Sequence, residues 1–189
     1  KSINVLKTNL IRLGNNSDGG YLVPDDLNEI QACFSPGVAD NINFEKSLAK
    51  KNIQSYLLDN SIQKLPENNK YFTFKRKHLG IKNNNNFISI NNWINEYYSK
   101  DSKYEFILQM DIEGSEYEVL LDIEENILKK FRILVIEFHQ LFDLVTLLGY
   151  KLIKATFDKI LQHFYIVHIH PNNILPMITV HGYKIPNLL

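Results

Sequence analysis

Apolar runs and amphipathic stretches alternate along this chain, and the alternation predicts repeated β-α units. Residues 31–35 (Gln-Ala-Cys-Phe-Ser) read as a first strand that stops at Pro36-Gly37. Asn41 or Asn43 is placed to cap a helix over roughly 43–51, with Phe44, Leu48 and Ala49 facing inward. Residues 54–58 give a second strand ending at Asp59. Residues 71–75, where aromatic and polar side chains alternate, give a third strand nearer the sheet edge. A helix over 90–98 puts Ile90, Trp93, Ile94 and Tyr97 on one face. Residues 105–110 form a fourth strand, and the helix after it brings Tyr117, Leu120, Leu121, Ile127, Leu128 and Phe131 near helical spacing. The β-branched run 132–138 makes a central fifth strand. A helix around 141–148 closed by Gly149, a short strand at 150–154 and a strand at 163–169 stopped by Pro171 complete the pattern. Residues 174–189 give no clear signal.

Strands alternating with helices imply an α/β fold: a Rossmann-like, doubly wound and mostly parallel sheet with helices on both faces. The expected order of its five main strands is 3-2-1-4-5, with edge strands besides. That order reverses between the first and fourth strands, and a ligand crevice lies at the carboxyl ends of strands that flank such a reversal. Those ends carry Ser35-Pro36-Gly37 and Asp111-Ile112-Glu113-Gly114. Two motif loops therefore point at one cleft.

Composition narrows the ligand. The chain has 189 residues, which suits a single domain over 1–189 with one sizeable core. Formal net charge is zero, so there is no global field for nucleic acid or an anionic membrane. The one cysteine, Cys33, excludes an internal disulfide and a cysteine-based metal cluster, and its apolar neighbours mark it as a core residue. No run of about 18 apolar residues suggests a membrane span, and no signal peptide is visible at Lys1. The asparagine run 83–86 reads as a loop.

Several side chains are candidates for chemistry. Gly37 follows the first strand, where the lack of a Cβ lets backbone approach a ligand. The loop lacks G-x-G-x-x-G, which argues against a pyrophosphate-containing dinucleotide. Asp59 ends the second strand 22 residues later, where an acid can accept hydrogen bonds from ribose hydroxyls; the plainer reading is a turn cap. Asp18-Gly19-Gly20-Tyr21 signals a tight turn placed to reach over the cleft. Asp111, Glu113 and Glu116 share the turn from strand four into its helix. Glu116 is covered by the ordinary preference for acids in a first helical turn, whereas Asp111 sits at the strand edge in the cleft. Glu137 and His139 close strand five on a common face, and a histidine beside acids can move a proton near neutral pH. His168 and His170 have the same spacing and, with Asp111 and Glu137, could supply ligands to a divalent metal; such spacing is common by chance. The stretch Lys75-Arg76-Lys77-His78 reads first as a solvated face. No serine or cysteine stands in a nucleophile-elbow context.

Taken together, Arg12-Leu-Gly14 leading to Asp18-Gly-Gly-Tyr21, then Phe34-Ser-Pro-Gly37-Val, Leu58-Asp59, Met110-Asp111-Ile-Glu-Gly-Ser-Glu116, Val135-Ile-Glu137-Phe-His139 and Val167-His-Ile-His170-Pro-Asn-Asn173 resemble the FkbM-type methyltransferases. The branch whose members carry DGGY and HIHPNN is the most similar. The resemblance runs from about residue 10 to 173. It implies an S-adenosylmethionine-dependent O-methyltransferase that leaves S-adenosylhomocysteine and acts on a sugar or surface-glycan precursor, such as one of capsular polysaccharide, in the cytoplasm. It implies cofactor contacts at Asp18, Gly20, Tyr21, Ser35, Gly37, Asp59 and Asp111, with residues 1–30 packing over the cofactor cleft. Gly37 would face the methionine part, Asp59 the ribose and Asp111 the reacting methyl.

Methyl transfer from a sulfonium is an in-line displacement, and an alcohol needs help to lose its proton. His139 is the candidate general base, with Asp111 or Glu113 orienting it or the acceptor; Asp111 as the base is the close alternative. The partner is a small-molecule or glycan acceptor. Two rivals share the fold: a nicotinamide-dependent oxidoreductase or epimerase, and a non-catalytic binding module.

Overall fold

The computed structural model describes residues 8–17, 19–99, 103–171, 177–180 and 182–186. Two short strands, β1 (Leu10–Leu13) and β2 (Tyr21–Pro24), pair antiparallel as a hairpin. The sheet proper starts with β3 (Ile30–Pro36), an apolar run buried at six of its seven positions, as a strand covered on both faces must be. Helix α1 (Asn43–Ala49) follows and leads to β4 (Gln54–Leu58) and β5 (Phe72–Lys75). A small parallel ladder, β6 (His78–Leu79) with β7 (Phe87–Ile88), leads into α2 (Ile90–Asn95). Ser89 caps α2 through its hydroxyl, which accepts from the Asn92 N–H. Next come β8 (Glu105–Met110), α3 (Glu116–Asp122), α4 (Glu125–Leu128) and β9 (Phe131–Ile136).

The central sheet has the order β5-β4-β3-β8-β9 with every pair parallel. Counted along the chain, its five strands stand 3-2-1-4-5, as the sequence pattern predicts. The reversal falls between β3 and β8. Strand alternation feeds two cores. Phe34, Phe106, Leu108 and Met110 pack against Trp93 and Ile94 of α2 and Tyr117 and Leu120 of α3. Cys33, Ile107 and Ile133 turn the other way, onto Phe44 and Leu48 of α1 and onto Leu13 and Val23 of the hairpin. The hairpin is thereby fixed across α1 and β9.

The chain departs from the sequence expectation in several places. The helix after β8 is broken, because Ile123 and Glu124 are extended (ψ 129° and 137°). Leu121 is consequently exposed, and Phe131 opens β9 instead of closing a helix. Strand β9 ends at Ile136, so Glu137 and His139 lie beyond it. Residues 141–145 form a 3-10 turn, and α5 (Leu147–Ile160) then runs through Gly149 and the region expected as a strand. The Thr146 hydroxyl caps α5, which shifts its start past the predicted helix. Within 163–169 the only strand-type residue is an isolated bridge at 166: the alternation is present, but side chains such as Tyr165 and Ile169 are exposed, not packed into a sheet face. Strands β10 (Ile178–Val180) and β11 (Tyr183–Ile185) pair as a second hairpin. No helix among the described residues is long and apolar enough to cross a membrane.

Candidate active site

Two loops meet at the sheet reversal. Gly37 has φ +82°, and a Cβ there would overlap the carbonyl oxygen of Asp111. Its N–H donates to Leu58 O at 2.8 Å, and the Asp111 N–H donates to Pro36 O at 3.4 Å. Glycine is therefore demanded by the neighbouring strand's own backbone. Asp59 is buried behind this loop. Its Oδ2 accepts from Ala39 N at 2.8 Å, and its Oδ1 accepts from the Ser61 N–H at 2.7 Å and hydroxyl at 2.6 Å. The side chain thus ties the loop after β3 to the loop after β4.

The loop after β8 is held by strain and by one acid. Glu113 has φ +57° and Gly114 φ +108°. A non-glycine residue in the left-handed region is uncommon and persists where its surroundings hold it. The carboxylate of Glu116 reaches back from α3 and accepts from Ile112 N at 3.1 Å and from Gly114 N at 3.2 Å. The same carboxylate binds His139 Nδ1 at 3.1 Å. The Tyr117 hydroxyl donates to the His139 carbonyl at 2.6 Å, and Phe138 packs against Tyr117 and Phe157. With its backbone and Nδ1 pinned, His139 points Nε2 at Glu113 Oε2 (3.3 Å) and Asp111 Oδ1 (3.7 Å). The Glu113 side chain is 86% exposed and marks the mouth of the cluster.

Electrostatics separate the members. Burial raises Asp111 to a pKa of about 7, with Glu137 adding to the rise and His139 working against it. Burial disfavours the charged form of His139, but the Glu116 hydrogen bond and the charges of Glu116, Asp111 and Glu113 outweigh it and push its pKa up to about 9. Burial also opposes the ionisation of Glu116, yet the His139 and Gly114 hydrogen bonds hold its carboxyl below the usual range.

Asp111, Glu113 and His139 each offer one ligand atom, all within 4.8 Å of one another, so these three could hold a divalent cation. Neither His168 nor His170 joins that group among the described residues; their rings stack parallel at 6.2 Å. The basic stretch is used locally: Lys75 pairs with Glu96, and Lys77 donates to Asn84 O.

The structure brings His139, Asp111 and Glu113 into one cluster, with Gly37 and Asp59 at the adjoining loops. Tyr21 reaches the cluster's edge, where its hydroxyl donates to Glu137 Oε2 at 3.2 Å. Gly20 lies on the hairpin, its carbonyl accepting from Arg12. Ser35 is buried beneath the cleft and bonded to Glu45 and Gln109. Asp18 lies outside the described residues. Glu116 has a larger part than its sequence position suggested, since an acid in a first helical turn looks ordinary until the histidine it grips is in place.

The family model described as the methyltransferase FkbM domain matches residues 38–184. No curated protein and no solved structure matches the chain. The match spans four of the five strands of the central sheet and the loop after β8, and the chain belongs to the FkbM methyltransferase family.

Proposed function

We propose that this methyltransferase transfers the methyl group of S-adenosylmethionine to a hydroxyl group of a sugar or surface-glycan precursor, in the cytoplasm where such donors are made. The observation that carries the reading is Asp111: a half-buried carboxyl with a pKa of about 7, at the sheet reversal, beside a cationic histidine.

The site fits a cofactor of this kind on two counts. Asp59 uses three of roughly four acceptor directions of its carboxylate, which leaves one for a ribose hydroxyl. Asp111, Glu113 and Glu137 suit a sulfonium, which is positive, and oppose the pyrophosphate of a nicotinamide dinucleotide. The bound cofactor supplies an electrophilic methyl group.

The chain's own residues supply the rest. At neutral pH His139 carries its proton, so it serves better as the cation that orients Asp111 and Glu113 than as the base. Asp111, poised between its two forms, accepts the hydroxyl proton as the new O–CH3 bond forms and the C–S bond breaks. The exposed Glu113 accepts hydrogen bonds from further hydroxyls, which favours a polyhydroxylated acceptor. Tyr21 and Glu137 close the side of the site.

Calorimetric titration with S-adenosylmethionine, S-adenosylhomocysteine and NAD tests the cofactor, and methyl transfer from labelled donor to a panel of nucleotide-linked sugars and glycan fragments tests the acceptor. Binding of the adenosyl compounds with O-methyl product is expected. Tight NAD binding alone would favour an oxidoreductase or epimerase, and no binding at all a non-catalytic module.

A further inference from the structure

Three side chains meet beneath the cleft, each from a different element: Ser35 of β3, Gln109 of β8 and Glu45 of α1. All are buried, and Glu45 is 1% exposed. Ser35 Oγ contacts Glu45 Oε1 and lies 2.5 Å from Gln109 Oε1. Two hydrogen bonds joining three oxygens need two protons, and a serine hydroxyl has one. A neutral Glu45 supplies the other: its O–H donates to Ser35 Oγ, and the Ser35 O–H donates to Gln109. Turning the Gln109 amide over would also fill the gap, but it leaves an ionised carboxylate with nothing to balance it. Glu45 Oε2 has no hydrogen-bond partner, and no ion pair among the described residues reaches this side chain. Burying an unpaired charge is far costlier than burying a neutral acid.

The groups around it agree. The Cys33 thiol faces it from β3, its ionisation opposed by burial and by the Glu45 charge. Tyr21 of β2, against Phe44, is bound to Glu137, and Lys46 pairs with Glu67 at 2.8 Å. Burial raises Glu45 to about 7.

We propose that Glu45 is a positioning residue that works as a neutral acid, its donated proton locking α1 to β3 and β8 two residues below Gly37 and Asp111 and so setting the two loops of the cleft. The effect on cofactor binding rests on the function proposed above; the buried proton does not.

The test uses the whole chain and the variants Glu45→Gln and Glu45→Ala. Infrared difference spectra should show, at slightly acidic pH, a neutral carboxylic acid band that fades above neutrality, of which Glu45→Gln keeps only the Asp111 part and loses the Glu45 part. The amide can donate in the same place, so Glu45→Gln should keep wild-type affinity for S-adenosylhomocysteine and hold it at alkaline pH, where the wild type weakens. Glu45→Ala should lose roughly tenfold in affinity. If Glu45→Ala does not fold, the Glu45→Gln comparison and the infrared band decide. A wild type whose acid band equals that of Glu45→Gln, or a Glu45→Gln variant with lost affinity at every pH, overturns the proposal. If the wild type binds no adenosyl compound, the cofactor reading fails, and the band together with thermal unfolding of Glu45→Gln against pH still decides the role of Glu45.

Discussion

His139 Nδ1 sits 3.1 Å from Glu116 Oε1, and the same carboxylate accepts the backbone N–H groups of Ile112 and Gly114. One buried acid therefore fixes the histidine and the loop that carries Asp111 and Glu113. Replacing Glu116 by Gln keeps the shape but removes the charge that sustains the imidazolium. The expected result is a His139 pKa well below about 9, read by NMR titration, with a loss of roughly 1–3 kcal/mol in stability.

Asp111→Asn should lower kcat by roughly 10²–10⁴ if Asp111 takes the acceptor proton. Affinity for S-adenosylhomocysteine should change far less, because the variant keeps the backbone contact with Pro36. In the wild type, kcat/KM should rise as Asp111 ionises through pH about 7 and fall as His139 loses its proton near pH 9. A profile that instead rises only above pH 9 would assign the base to neutral His139. Steady-state rates across that range distinguish the two.

Much of this was legible in the sequence. The apolar run of β3, the aromatic alternation of β5 and the abrupt stop at Asp111 are local signals, and they fixed the strand order and the two loops. Other features depend on tertiary context. The break at Ile123-Glu124 interrupts a pattern that stays periodic on paper, so one helix was expected where two stand. The segment 163–169 has strand alternation but no sheet neighbour in the central sheet, whose order ends at β9. A groove of about 860 Å³ lies along that end strand instead. Nothing in the helix pattern singles out Glu45, and only its contacts with Ser35 on β3, bonded in turn to Gln109 on β8, make it a core residue.

Gly37→Ala should destabilise the protein and disturb the site together. Its φ of +82° costs a β-carbon-bearing residue about 1–3 kcal/mol, and the overlap with Asp111 O adds to this. A lowered Tm with weaker cofactor binding is expected. An unchanged Tm would mean that the loops separate more easily than their contact suggests.

A chelator should leave turnover intact. Asp111, Glu113 and His139 are near enough to share a cation, but a cation would have to displace the proton that the surrounding carboxylates hold on His139. Activity lost on dialysis against EDTA and restored by magnesium or manganese would instead make this trio a metal site.

Stability should peak on the acid side of neutrality. His139 has a folded pKa raised from 6.5 to about 9, so its contribution is complete below 6.5 and is lost as pH climbs through 9. Asp111 is raised from 3.8 and Glu45 from 4.5, each to about 7, so each favours the folded state below its unfolded value, and that contribution is lost as pH rises to about 7. Glu116 acts in the opposite direction: its pKa is lowered from 4.5, so its contribution is present above 4.5 and disappears as the medium turns strongly acid. Three groups therefore weaken the fold as pH rises and one as it falls. Thermal unfolding followed from pH 4 to 10 should show Tm falling from about pH 4.5 up to about pH 9. The His139→Gln variant should flatten the upper part of that fall, and Glu45→Gln the lower part. A Tm that stays level between about pH 4.5 and 7 would mean that Asp111 and Glu45 are ionised in the folded protein without cost, against their burial.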